Sequence, residues 1–314
     1  MPGLSASTPR RAGTDMPRTS VAEHTARVRT LLNAVSQRPV EQVALSDALD
    51  RVLAHPIRTP IDLPPFRNSQ MDGFAVRTVD LARTPSSLPL RGAIPAAPGT
   101  PGPLRPGHTV RVMTGAPIPD DADAVVPVEH ATVQGTTVTF TRKPDVGEFV
   151  REAGSDLAVG EPLLSDGFRL APRHLAALAA AGVASVPVRS QVRVAVISTG
   201  SELAAPGELL APGQIYDANG PALAAAVRTA DALLVDEHRV VDDTAAFARA
   251  LDASCAAGAE ILLTSGGISA GNYEVVRELL EPLGAHVDTL AMQPGGPQAL
   301  SLIHISEPTR LRRI

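Results

Sequence analysis

The residues best suited to chemistry are oxygen donors set among glycines. In "TSGGISAGN", Thr264–Asn272, two consecutive glycines and several hydroxyls follow an apolar run and precede a helical pattern. Backbone N–H groups at such a strand-to-helix junction, with the helix dipole, can hold a phosphate. The stretch lacks the Gly-Lys-Ser/Thr of a P-loop and the G-x-G-x-x-G of a dinucleotide fold; an ordinary tight turn is the competing reading. Glu202 in "STGSE" and Glu274 after the glycines each fall in or near the first turn of a predicted helix. A carboxylate there gains about 0.3–1 kcal/mol from the dipole without any function. Together, at adjacent strand ends, the two could instead present oxygen ligands to Mg²⁺, a hard cation that bridges carboxylates and substrate phosphates.

A second group lies upstream. "NSQMDGFAV", Asn68–Val76, places a lone carboxylate, Asp72, between Met71 and Gly73. "RVMTGAPIPDDADAVVPVEH" sets Thr114 and Gly115 in a turn, where the hydroxyl can donate to a ligand oxygen. Its aspartates read as a solvated loop. Asp156 in "REAGSDLAVG" reads as a turn residue whose side chain caps the backbone. His130 and His238 show no paired metal spacing and are expected at the surface or in a polar core. The only cysteine, Cys255, cannot form an internal disulfide and is expected to be a buried, inert thiol.

These residues need elements to position them. Apolar residues from Val28 to Val35 and from Leu45 to Leu53 repeat at helical spacing and predict two short amphipathic helices. Between Pro60 and Val150, short valine-rich runs broken by Pro and Gly predict a small β domain. A helix opened by Pro172 and closed by Gly182 follows. After Gln191 the rhythm is βαβα: "VRVAVIST", a helix from Pro221, "ALLVDEHRVV", a helix through "TAAFARALDASCAA", "AEILLTSGG", a helix from Tyr273, and "HVDTLAM". Apolar strands separated by helices imply a parallel sheet covered on both faces, with ligands beyond the carboxyl ends of its strands. The expected fold class is α/β plus β, in several domains. Residues 1–20 read as a disordered tail, 21–58 with 150–188 as a discontinuous linking domain, 59–149 as an inserted β domain, and 189–299 as the α/β domain.

The chain has 314 residues, 28 Lys+Arg against 33 Asp+Glu, and 3% aromatics without tryptophan. Length calls for more than one domain. The charge balance and the lack of stacking residues argue against nucleic acid as a partner. No apolar run approaches the roughly 18 residues of a membrane span, and the opening has no secretory h-region, so the cytoplasm is the expected location and no membrane partner is expected.

Taken in order, "NSQMDGFAV", "RVMTGAPIPDDADAVV", "REAGSDLAVG", "ISTGSELAAPGELLAPGQIYDANGPAL", "ILLTSGGISAGNYEVV" and "MQPGGP" resemble the molybdopterin molybdenumtransferase family (MoeA), related to the gephyrin E domain. The resemblance covers Asn68 to Pro297. It implies a transferase of molybdenum cofactor biosynthesis that takes molybdate and adenylylated molybdopterin as substrates and hydrolyses the phosphoanhydride with Mg²⁺, releasing AMP. It implies a homodimer, with each cleft formed by the α/β domain of one subunit and the β domain of the other, and contact with a molybdopterin adenylyltransferase. By matching motifs, Asp72, Thr114, Asp156, Glu202 and Glu274 would be catalytic, with Glu202 and Glu274 also holding the metal. Ser69, Gly115, Thr199, Gly200, Asp217, Asn219, Ser265, Gly266, Gly267, Ser269, Pro294 and Gly295 would bind substrate. The molybdenum-binding thiols belong to the cofactor, so no cysteine cluster is required.

Two residues depart from the family pattern: Glu274 stands where many relatives have Asp, and Gly296 where a Lys is frequent. "LSLIHISEPTR", Leu300–Arg310, resembles a translated sequencing adapter. On that reading 300–314 is non-native, the family's C-terminal β-barrel domain is absent, and the chain as it stands is expected to be inactive. Two rival functions share features with this reading: a molybdopterin adenylyltransferase or nucleotide pyrophosphatase built on the same α/β module, and a non-catalytic scaffold. The inserted β domain with "NSQMDGFAV" argues against the first.

Overall fold

The computed structural model describes residues 18–268 and 274–301. Ser269, most of the polar opening and most of the adapter-like stretch lie outside the described residues. Two compact units are defined: residues 40–189, and the flanking residues 18–39 with 190–301.

In the first unit, six strands form one mixed sheet in the order Ala124–Pro127, Gly73–Val76, Thr109–Val112, Ser86–Ile94, Thr137–Phe140 and Ala131–Gln134. All neighbours are antiparallel except Ser86–Ile94 beside Thr109–Val112. Side chains alternate across a strand, and here both faces are buried. Phe74, Val76, Val126 and Phe140 enter one cluster, while Ala75, Val112 and Val125 enter another. Phe74 and Phe140 meet edge to face with centroids 6.0 Å apart. Gly73 allows a close strand approach: a Cβ there would lie 2.3 Å from the Val126 carbonyl oxygen.

A smaller core in the same unit unites distant segments. The strands Val40–Ala44 and Ser185–Arg189 pair antiparallel, and Leu53, Leu170, Leu178 and Val186 pack together. The helix Pro172–Ala180 begins at its proline and is followed by Gly182 at φ +76°. The helix expected over Leu45–Leu53 does not form. Only a 3₁₀ turn, Leu45–Asp47, is present; Asp50 has φ +63°, and the Leu53 N–H donates to the Phe168 carbonyl at 2.9 Å. Long-range backbone pairing overrides the local helical spacing.

The second unit has a three-stranded parallel sheet in the order Leu233–Val240, Arg193–Thr199, Ile261–Ser265. Helices Asn219–Thr229, Thr244–Ala256 and Val275–Leu280 alternate with these strands. The central strand is buried on both sides: Val194 and Val196 pack with Val227, and Ile197 packs with Phe247, Leu251 and Val276. Cys255 is half-buried, not fully buried; burial, aided by Asp252, pushes its thiol pKa up. The expected strand "HVDTLAM" does not extend the parallel sheet. Its residues His286–Thr289 form an antiparallel hairpin with Pro297–Leu300.

The helix Val21–Leu32 starts earlier than the apolar spacing from Val28 suggests, because Ser20 and Glu23 form a reciprocal capping box. Thr19, expected in the disordered tail, bridges to Leu290, and Arg27 pairs with Asp288 at 2.9 Å. Among the described residues no helix is long and apolar enough to cross a membrane.

Candidate functional site

Asp72 has a structural partner that explains its place. Its Oδ1 accepts the Thr114 N–H at 2.7 Å and the Thr114 hydroxyl at 2.8 Å. These two donors hold the exposed Asp72 carboxyl below the usual carboxylate range. The turn is itself built from Ser69: the Gly115 N–H donates to the Ser69 carbonyl at 2.8 Å, and the Ser69 N–H to that of Ala116 at 3.0 Å. Buried Ser69 turns its hydroxyl onto the Met71 carbonyl at 2.6 Å. Gly115 adopts φ +79°, a conformation that favours glycine.

Asp156 does not cap the backbone as the sequence suggested. Its carboxylate pairs with Arg151, whose strand partner is Asn68, and its N–H donates to the Leu63 carbonyl at 2.9 Å. Residues Ser69, Asp72, Thr114, Gly115 and Asp156 therefore belong to one connected part of the β unit. Asp123, read as loop, instead accepts both the N–H and the hydroxyl of Thr78, at 2.7 and 2.9 Å. Arg151 and Asp123 stand inside the quoted motifs, yet residue type alone did not single them out; their partners, Asp156 and Thr78, emerge only in the folded chain. His130 is exposed, and half-buried His238 lies 2.6 Å from Asp236.

In the α/β unit the candidate residues sit at the carboxyl ends of adjacent strands. Thr199 is buried and ends the central strand; Ser265 ends its neighbour, in register with Ser198. Gly266 and Gly267, at φ +93° and +62°, close on Thr199 so tightly that a Cβ on Gly266 would lie 2.2 Å from the Thr199 carbonyl oxygen and one on Gly267 2.9 Å from its hydroxyl. Glu202 is not in a helical turn. It lies in the turn after the central strand, ahead of Leu203–Ala204, with its carboxylate over Gly200. Glu274 does flank a helix, as the residue before Val275–Leu280.

Both helix N-termini are already capped by protein oxygens. The Gly267 carbonyl accepts the Val276 and Arg277 N–H groups, each at 3.1 Å. Asp217 Oδ1 accepts the Asn219 and Gly220 N–H groups at 3.0 and 2.9 Å. Pro294 and Gly295 occupy the hairpin loop between Thr289 and Pro297, where the Gly295 carbonyl accepts from Gln298 at 3.0 Å.

Among the described residues no three His, Cys, Asp or Glu side chains converge as a metal set. A divalent ion here would take one or two carboxylates and complete its shell from water and substrate oxygens, as Mg²⁺ commonly does. Glu202 and Glu274 are hard-oxygen donors of that kind.

A parallel α/β unit with a glycine-closed strand end, preceded in the chain by a β unit, defines the class. Residues 19–182 match the family model described as "MoeA N-terminal region (domain I and II)", and residues 195–309 that described as "Probable molybdopterin binding domain". A molybdopterin molybdenumtransferase 2 of Mycobacterium tuberculosis is 41% identical over 295 residues, spanning 90% of this chain and 72% of the relative. A molybdopterin molybdenumtransferase of Nostoc is 37% identical over 268 residues, 83% of this chain and 61% of the relative. A crystal structure of the molybdopterin biosynthesis MoeA protein from Pyrococcus horikoshii superposes with a TM-score of 0.68 at 31% identity, covering 88% of this chain and 72% of that one. The chain belongs to the MoeA family of molybdopterin molybdenumtransferases, which is a family of enzymes.

Proposed function

We propose that the parent protein of this chain inserts molybdenum into molybdopterin in the last step of molybdenum cofactor biosynthesis. Its substrates are molybdate and adenylylated molybdopterin. The two dithiolene sulfurs bond to the molybdenum of molybdate as one of its oxides leaves as water with the thiol protons; hydrolysis bonds a water oxygen to phosphorus, breaks the phosphoanhydride P–O bond and releases AMP. The observation that carries this reading is the packing of Gly266 and Gly267 on Thr199 at adjacent strand ends, where α/β sheets bind ligands.

In this reading the glycine loop brings backbone and the Thr199 hydroxyl against the pterin's phosphate side. No protein nucleophile is required, because preorganised donors stabilise charge on the leaving phosphate. Asp72, kept anionic by Thr114, acts as a fixed oxygen acceptor for the reacting groups, and Asp156 holds Arg151 by their ion pair. Glu202 and Glu274 would hold Mg²⁺, which when bound neutralises phosphate charge as a Lewis acid. The protein works as a cytoplasmic homodimer that receives its substrate from an adenylyltransferase.

The test is AMP release from adenylylated molybdopterin, with and without molybdate and Mg²⁺. Release that requires both, and that falls at least about a hundredfold in Glu202→Gln, is expected for loss of charge stabilisation at the transition state. Release indifferent to molybdate would refute the reading, and pyrophosphate formation from ATP would assign adenylyltransferase activity instead.

A further inference from the structure

The β unit contains a cavity of about 410 Å³, within the range of small-molecule sites. Its apolar floor includes Ile94, Leu104 and Val110, of which Leu104 and Val110 are 5% and 7% exposed. Arg91, Arg105 and His108 also line it, and none of its lining residues is a carboxylate. None of the residues assigned to molybdenum transfer lines it either.

The cationic side is organised. His108 Nδ1 lies 2.9 Å from the Pro106 carbonyl, which can only accept, so Nδ1 carries the hydrogen. Nε2 then accepts from Arg91 Nη2 at 3.2 Å. One of the five guanidinium donors is used as a brace, and the other four stay available. Among the described residues neither Arg91 nor Arg105 has an ion-pair partner. Asp80 accepts the N–H of Gly107, in the loop that carries Arg105 and His108, at 2.9 Å and lies 3.9 Å from Arg77. It anchors the loop and does not line the cavity. Two guanidiniums without carboxylate partners, beside an apolar floor, match a ligand with one anionic end and one apolar body.

We propose that this cavity binds a small organic phosphate, with Arg91 and Arg105 on the phosphate and Ile94, Leu104 and Val110 against its apolar part. The site is independent of the transferase reading. Phenyl phosphate and inorganic phosphate, as probes, separate an organic ligand from free phosphate. Titrated into the whole protein at constant ionic strength, phenyl phosphate should bind saturably and shift the Leu104 and Val110 methyl resonances, more tightly than inorganic phosphate. Arg91→Gln and Arg105→Gln should each weaken it about tenfold, the effect of losing a charge-assisted hydrogen bond. Arg173→Gln, an equal change of charge at an exposed residue of the helix Pro172–Ala180, should leave binding unchanged. Equal affinity for inorganic phosphate, equal weakening by Arg173→Gln, or no saturable methyl shift in the unmutated protein would each overturn the assignment.

Discussion

Replacing Gly73 by alanine sets two effects of opposite sign against each other. An alanine within a strand is ordinarily favoured over glycine by roughly 0.5–1 kcal/mol, because less backbone entropy is lost on folding. At Gly73, however, the new Cβ would lie 2.3 Å from the Val126 carbonyl oxygen and 2.9 Å from a Val125 methyl. Cβ atoms essentially never approach a neighbour below 3.0 Å, so the backbones must separate by at least 0.7 Å. Overpacking of this kind costs about 1–3 kcal/mol. The shift also strains the ladder in which Gly73 faces both Val112 and Pro127, and each hydrogen bond lost costs about 0.5–1.5 kcal/mol. With one ladder hydrogen bond lost, the net expectation for Gly73→Ala is a loss of roughly 0.5–4 kcal/mol. Urea unfolding followed by circular dichroism measures it as a lower midpoint. Gly102→Ala serves as the control, since a Cβ there meets nothing within 4 Å; it should be neutral or slightly stabilising. If Gly73→Ala unfolds at the same urea concentration as the unmutated protein, the close approach does not constrain the sheet and the reasoning fails.

Gly266→Ala combines a left-handed φ, costing about 1–2 kcal/mol, with a Cβ 2.2 Å from the Thr199 carbonyl oxygen; hydrogen exchange should show the central parallel strand opening more readily. Phe140→Ala empties a fully buried position against Phe74 and should cost about 3–5 kcal/mol, read from the same urea curves. Asp72 has a lowered folded-state pKa. Its contribution to stability is therefore present above the unfolded carboxylate value, near 3.9, and is lost as pH falls through the lower folded value. The stability difference between the unmutated protein and Asp72→Asn should accordingly shrink on acidification into that range; a difference that stays constant would contradict the Thr114 contacts.

Much was legible because it rests on local rules. The apolar runs of the α/β unit marked three parallel strands, and proline-early, glycine-late spacing marked the helix Pro172–Ala180. Order along the chain placed "STGSE" and the glycine pair at strand ends, which in parallel sheets adjoin one another. The oxygen donors themselves were identifiable from residue type. By contrast, Leu45–Leu53 has helical spacing but follows its long-range partners Phe168 and Val188. Asp156 looked like a turn cap until Arg151 came within reach, and "HVDTLAM" looked like a fourth parallel strand until it met Pro297–Leu300.

The amino-acid sequence alone determined the kinds of unit this chain builds and which side chains carry hard oxygen donors, because periodicity and residue chemistry are properties of short stretches. Tertiary structure alone decided that Thr114 holds Asp72, that protein oxygens already cap the helix N-termini, and that two arginines share a pocket with no counter-charge among the described residues. Those facts depend on which atoms come within hydrogen-bonding distance, and no spacing along a chain encodes a distance between residues brought together by folding.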